Sequence, residues 1–97
     1  MKGQLGKIMQ QAQAMQDRIE SKMHEMRFEG TAGGGMVHVV MDGKKRVEAI
    51  EIDPQAVDPE DAELLQDLIV KAFQEAAERV DEKLSDQVNG LASGLLG

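Results

Sequence analysis

The sequence predicts an α+β fold, a small antiparallel sheet flanked by two long helices, and three observations carry the prediction. Apolar residues recur at three- and four-residue steps over residues 4–27 and again over residues 59–89. Between them, Val37, Val39 and Met41 alternate with Met36, His38, Val40 and Asp42, the period of a half-buried strand. Asp42-Gly43 then supplies a turn pair whose residues both tolerate positive φ.

The first helix, over residues 4–27, carries Leu5, Ile8, Ala12, Met15, Ile19, Met23 and Met26 along one stripe. At 1.5 Å per residue it is roughly 36 Å long. A compact chain of this size has a radius of gyration of about 12–13 Å, so the helix is expected to project from the body. A projecting apolar stripe needs cover, from the second helix or from a second copy of the chain. The methionines are read as adaptable packing residues, because soft-metal sites usually add Cys or His. At 100° per residue, Lys7, Gln11, Arg18 and Lys22 share one flank beside the stripe, with Glu25 able to pair with Lys22. Arg27 falls across the stripe at the helix end. Such a flank is either a solvated face or a phosphate-tracking one, since cations and amides both donate to phosphate oxygens.

The sheet is expected over residues 28–53. After the turn, Lys44, Lys45 and Arg46 make a basic tip, and Ile50 and Ile52 point to the face opposite Ala49 and Glu51. Phe28 to Ala32 supplies a third strand, which an isolated hairpin needs for stability in water. Gly33-Gly34-Gly35 is read as a tight turn. A phosphate-cradling loop would be followed by Lys-Ser or Lys-Thr opening a helix, whereas Met36-Val37 opens a strand.

Asp58-Pro59-Glu60-Asp61 reads as the start of the second helix, with Asp58 as cap, Pro59 in the first turn and carboxylates complementing the helix dipole. Leu64, Leu65, Leu68, Ile69, Ala72, Phe73, Ala76, Ala77, Val80 and Leu84 form a broad apolar face. Ala72, Ala76 and Ala77 allow close approach. Glu75 stands four residues from both Lys71 and Arg79, which answers those bases locally. Asn89-Gly90 is a stop signal, leaving residues 90–97 as a flexible tail whose Leu91, Leu95 and Leu96 could dock on a neighbour.

With 97 residues the chain is expected to be a single domain, residues 1–97. It has no cysteine, hence no disulfide framework and no thiolate metal site. No apolar run spans a bilayer, and Met1-Lys2-Gly3-Gln4 lacks the apolar core of a signal peptide, so a cytoplasmic protein without a membrane partner is expected. Only Phe28 and Phe73 are aromatic, which argues against base-stacking platforms. Neither His24 nor His38 has a nucleophile motif or a second ligand at metal spacing; both are read as surface or partly buried histidines. No enzyme, cofactor, metal or small-molecule substrate is indicated. Net charge is −7, unevenly spread: +2 over residues 1–28, −2 over 29–53 and −7 over 54–97.

Gly30-x-x-Gly33-Gly34-Gly35-x-Val37-x-Val39, then Gly43, then Ile50-x-Ile52-Asp53, resembles the YbaB/EbfC family of small bacterial nucleoid-associated proteins. Met9-Gln10-Gln11-Ala12-Gln13-x-Met15-Gln16 is similar to the family's Gln- and Met-rich first helix. Leu64-Leu65-x-Asp67-Leu68-Ile69-x-x-Ala72-Phe73 is similar to its second. The family often has an Asn-Asp pair where this chain has Gln74-Glu75, an exchange that keeps one amide and one acid. The resemblance implies an α-β-β-β-α protomer and a tweezers-like homodimer with projecting helices. It further implies binding to double-stranded DNA in the nucleoid, with an influence on chromosome organisation and gene expression. The residues placed to neutralise phosphates are Lys7, Arg18 and Lys22, then Arg27, with Lys44, Lys45 and Arg46 at the hairpin tip. The acidic second helix would repel DNA and restrict contact to the basic flank. The alternative is an acidic protein–protein interaction module, whose partner would engage Glu75, Glu78 and Glu82.

Overall fold

In the computed structural model, which describes residues 2–96 and side chains over residues 3–90, the order is α1 (Lys2–Glu25), β1 (Arg27–Ala32), β2 (Val37–Asp42), β3 (Val47–Ile52), a 3-10 turn (Pro54–Ala56) and α2 (Ala62–Leu96). The α-β-β-β-α, α+β architecture is the one the periodicities predict. The strands form one antiparallel sheet in the order β1-β2-β3.

The alternation in β2 is borne out: Val37, Val39 and Met41 are wholly buried, each contributing roughly 1.5–3 kcal/mol of burial. They pack beneath Leu68, Ala72, Ala76 and Val80, one stripe of α2 at four-residue steps. Met23 joins this core from α1, with Ile19 and Met26 at its margin. The close approach of backbones falls at Gly30 rather than in the glycine run. A β-carbon on Gly30 would overlap the Ala72 carbonyl and lie 2.6 Å from Ala76 N. Gly33, Gly34 and Gly35 do make the turn, all three with positive φ.

The helix limits differ from expectation. The first helix stops at Glu25, and Arg27 begins β1 instead of ending the helix. Its guanidinium donates to the His24 and Met26 carbonyls at 2.9 and 3.0 Å, satisfying acceptors left open at the helix end. The second helix begins three residues later than Pro59. Asp58 accepts from Glu60 N in a local turn, and Asp61 accepts from Leu64 N at 3.3 Å as the actual cap. The helix also runs through Asn89 and Gly90 to Leu96, so residues 90–96 are helical rather than a flexible tail. A helical glycine costs about 1 kcal/mol, which the continuing apolar period outweighs when no proline follows. The side chains of Leu91, Leu95 and Leu96, and hence their docking, lie outside the described residues.

The β2–β3 hairpin keeps its position but changes its mechanism. Its left-handed residue is Lys45, φ 64°, not Asp42 or Gly43. A bulge pairs Val40 with Ala49 but Met41 with Val47, leaving Glu48 over. Both helices extend well past the sheet: the molecule measures 69 × 26 × 17 Å with a radius of gyration of 19.2 Å.

Candidate nucleic-acid interface

Helical spacing puts Lys7, Gln11, Arg18 and Lys22 on one flank of α1, all exposed. From Lys7 to Lys22 the flank extends roughly 22 Å along the axis. Among the described residues, none of these three cations, nor Arg46, has a carboxylate at ion-pair distance. The helical pairing of Lys22 with Glu25 is not formed. Arg18 and Lys22 open onto a cleft of about 410 Å³ between the arms, lined also by Met15 and Ile19 of α1 and by Gln87 and Gly90 of α2. Arg18 lines a second, shallower recess of about 280 Å³ with Gln11, Ala14 and Met15.

The remaining cations singled out in the sequence are engaged. Arg27 pairs with Glu48, the bulge residue of β3. Lys44 Nζ is 3.7 Å from Glu20 and Lys45 Nζ is 2.8 Å from Asp81 of α2. The structure therefore divides the seven positions: four cations without carboxylates, on the arm and at Arg46, and three spent holding elements together. On α2, Arg79 is 3.0 Å from Glu75, the local pairing that helical spacing predicts.

Below the hairpin tip sits a group that pattern reading passed over. Asp42 is 1% exposed, yet charged. Its Oδ1 accepts from Lys44 N at 2.8 Å and Arg46 N at 3.0 Å, and its Oδ2 lies 2.9 Å from His24 Nδ1. Burial pushes the carboxyl up; the backbone hydrogen bonds from Arg46 and Lys44, with His24, more than offset this and hold it below its ordinary 3.8. Beside it, Gly43 N donates to the Met23 carbonyl at 2.7 Å. The only sequence signal was Asp-Gly in a turn; the histidine partner lies 18 residues away.

His38 lies between Glu29, at 3.5 Å, and Glu51, at 3.4 Å, each on a different ring nitrogen, so the three do not converge on one point. Among the described residues no group of three or more His, Asp and Glu is arranged to hold a metal ion, and no helix is long and apolar enough to cross a membrane.

Similarities to known proteins agree with this architecture. Residues 1–95 match the model of the YbaB/EbfC DNA-binding family. A nucleoid-associated protein of Gluconacetobacter diazotrophicus is 44% identical over 94% of this chain and 88% of its own length. One from Oceanobacillus iheyensis is 42% identical over 98% of this chain and 94% of its own. The crystal structure of an uncharacterized protein from Helicobacter pylori superposes with a TM-score of 0.78 at 26% identity, covering 98% of this chain and 96% of that one. With a helix–sheet–helix protomer and a family match over nearly its whole length, the chain belongs to the YbaB/EbfC DNA-binding family.

Proposed function

We propose that the chain is a nucleoid-associated protein that binds duplex DNA as a homodimer, through phosphate contacts made by the α1 flank. The observation that carries this reading is the row Lys7, Arg18 and Lys22, three exposed cations on one projecting helix with no carboxylate at ion-pair distance among the described residues. Such cations are available to phosphates without breaking an internal pair, and contacts of this kind position a protein without reading sequence. Arg46 joins them from the hairpin. Arg27, Lys44 and Lys45 contribute less, because each must first leave its carboxylate. The acidic α2 keeps DNA to the α1 side, and the net charge of −7 opposes association and keeps binding weak. The setting is the nucleoid, with chromosome organisation and gene expression as the processes served.

The homodimer reading is supported by β3. Antiparallel partners share a face, so Ile50 lies beside Val39 and Ile52 beside Val37, on the side of the sheet that carries α2. The helix packs over β1 and β2, which leaves Val47, Ile50 and Ile52 exposed, Ile50 by 47%. The Lys45–Asp81 pair shows which flank of α2 faces this strip. Phe73, Ala77 and Asp81 follow one another at four-residue steps, so exposed Phe73 stands on the β3 side. A second copy would cover this strip and the free strand edge together, and two-fold symmetry would double the phosphate-facing cations.

The test is fluorescence anisotropy with a random-sequence duplex over a salt series, comparing wild type with Lys7→Glu/Arg18→Glu/Lys22→Glu. Each neutralised phosphate contributes about −0.9 to the slope of log K against log salt, so a dimer losing six cations should lose about five units of slope. A wild-type protein that binds no duplex even at low salt would overturn the reading and leave the acidic face of α2 as the surface to probe for a protein partner.

A further inference from the structure

Among the described residues, the α1 arm is buried at its base. Leu5, Ile8, Met9 and Met15 are exposed, Leu5 by 62%, whereas Met23 is buried and Ile19 and Met26 reach the core margin. The direction of the arm is therefore set where its last two turns meet the β2–β3 hairpin. Three contacts join them there: His24 Nδ1 to Asp42 Oδ2 at 2.9 Å, Gly43 N to the Met23 carbonyl at 2.7 Å, and Glu20 to Lys44 at 3.7 Å. Asp42 is the centre of this junction, because its other oxygen holds the amides of Lys44 and Arg46. One buried carboxylate thus orients both the arm and the hairpin tip.

We propose that Asp42 and His24 form a positioning latch that sets the direction of α1 relative to the sheet. His24 is half exposed while its partner stays buried. The ionised carboxylate can only accept, so His24 Nδ1–H donates to it, a charge-assisted hydrogen bond. The neighbouring charges leave the imidazole's link to Asp42 unobstructed: Glu20, one turn earlier, is taken by Lys44; Arg27 donates to the His24 carbonyl and pairs with Glu48; Lys45 is taken by Asp81 of α2; Glu25 has no ion-pair partner among the described residues. The latch's consequence for DNA rests on the function proposed above; its effect on the arm does not.

The chain has no cysteine, so two can be introduced for spin labels, at exposed Gln10 on the arm and exposed Thr31 at the end of β1. Doubly labelled protein diluted into unlabelled protein reports the intrachain distance distribution by pulsed electron resonance, without DNA. Wild type should give a narrow distribution. His24→Ala should be broad, and His24→Gln, whose amide can still donate to Asp42, should lie between them. A His24→Ala distribution as narrow as wild type would overturn the latch. Both variants alter a half-exposed side chain, and circular dichroism confirms that they fold. Duplex affinity of the same proteins is then compared. An arm that loosens in His24→Ala, in a protein without DNA affinity, would overturn the DNA reading alone.

Discussion

Asp42 shows how a single carboxylate is stabilised as an anion in a nearly dry position. Two backbone amides and an imidazole replace the water it has lost, and the balance keeps its pKa below 3.8. A group whose folded pKa is depressed contributes stability that is present above its unfolded pKa and lost as pH falls through the folded one. Asp42→Asn should therefore lower stability at neutral pH by about 2 kcal/mol, since a neutral amide leaves donors less well satisfied. The gap from wild type should close on acidification below about pH 4, and urea denaturation at pH 7 and pH 3 reads both. A gap of the same size at both pH values would mean that the carboxylate's charge is not what matters. The sequence marked Asp42 only as a turn former, because its burial depends on Met23 and His24 arriving from α1.

Between elements, the deciding contact is that of β1 with α2. Gly30 lets the two backbones touch, and the small residues Ala72 and Ala76 accept it from the helix side. Gly30→Ala has no room on either side and must lift the helix; a loss of roughly 3 kcal/mol or more is expected in denaturant unfolding. Gly90→Ala provides the contrast. Its β-carbon would meet nothing within 4 Å inside a helix, so it should raise stability by up to about 1 kcal/mol, visible as increased helicity and a higher Tm. If both substitutions acted alike, the close packing at Gly30 would not be what distinguishes them. The glycine-rich signature thus combines two demands, positive φ at Gly33 to Gly35 and clearance at Gly30 and Gly43, that spacing along the chain does not separate.

At the scale of the molecule, two helices reach beyond a three-stranded sheet whose third strand has an open edge. The exposed strip Val47, Ile50 and Ile52 beside Phe73 is an apolar patch of the kind that marks an interface. Ile50→Asp should shift sedimentation from dimer to monomer while the circular dichroism of the protomer persists, because Ile50 lies outside the buried core of one chain. A wild type that sediments as a monomer at micromolar concentration would remove the need for a second copy. Monomerisation should also halve the number of phosphate-facing cations acting together, and so flatten the salt dependence of duplex binding.

By itself the sequence determined the order helix, three strands, helix; the buried alternation of Val37, Val39 and Met41; the glycine turn; and the family, through glycines and apolar positions spread over nearly the whole chain. These follow from local periodicity and backbone conformation, which neighbouring residues specify. The flank bearing Lys7, Arg18 and Lys22 was also legible, being a matter of 100° per residue. Only the tertiary structure decided which cations are engaged, since the carboxylates that take Arg27, Lys44 and Lys45 come from β3, α1 and α2. It also decided that Asp42 is buried against His24 and that α2 leaves β3 uncovered. Ion pairs, clearance and burial arise between segments remote along the chain, and no pattern within one segment encodes its partner.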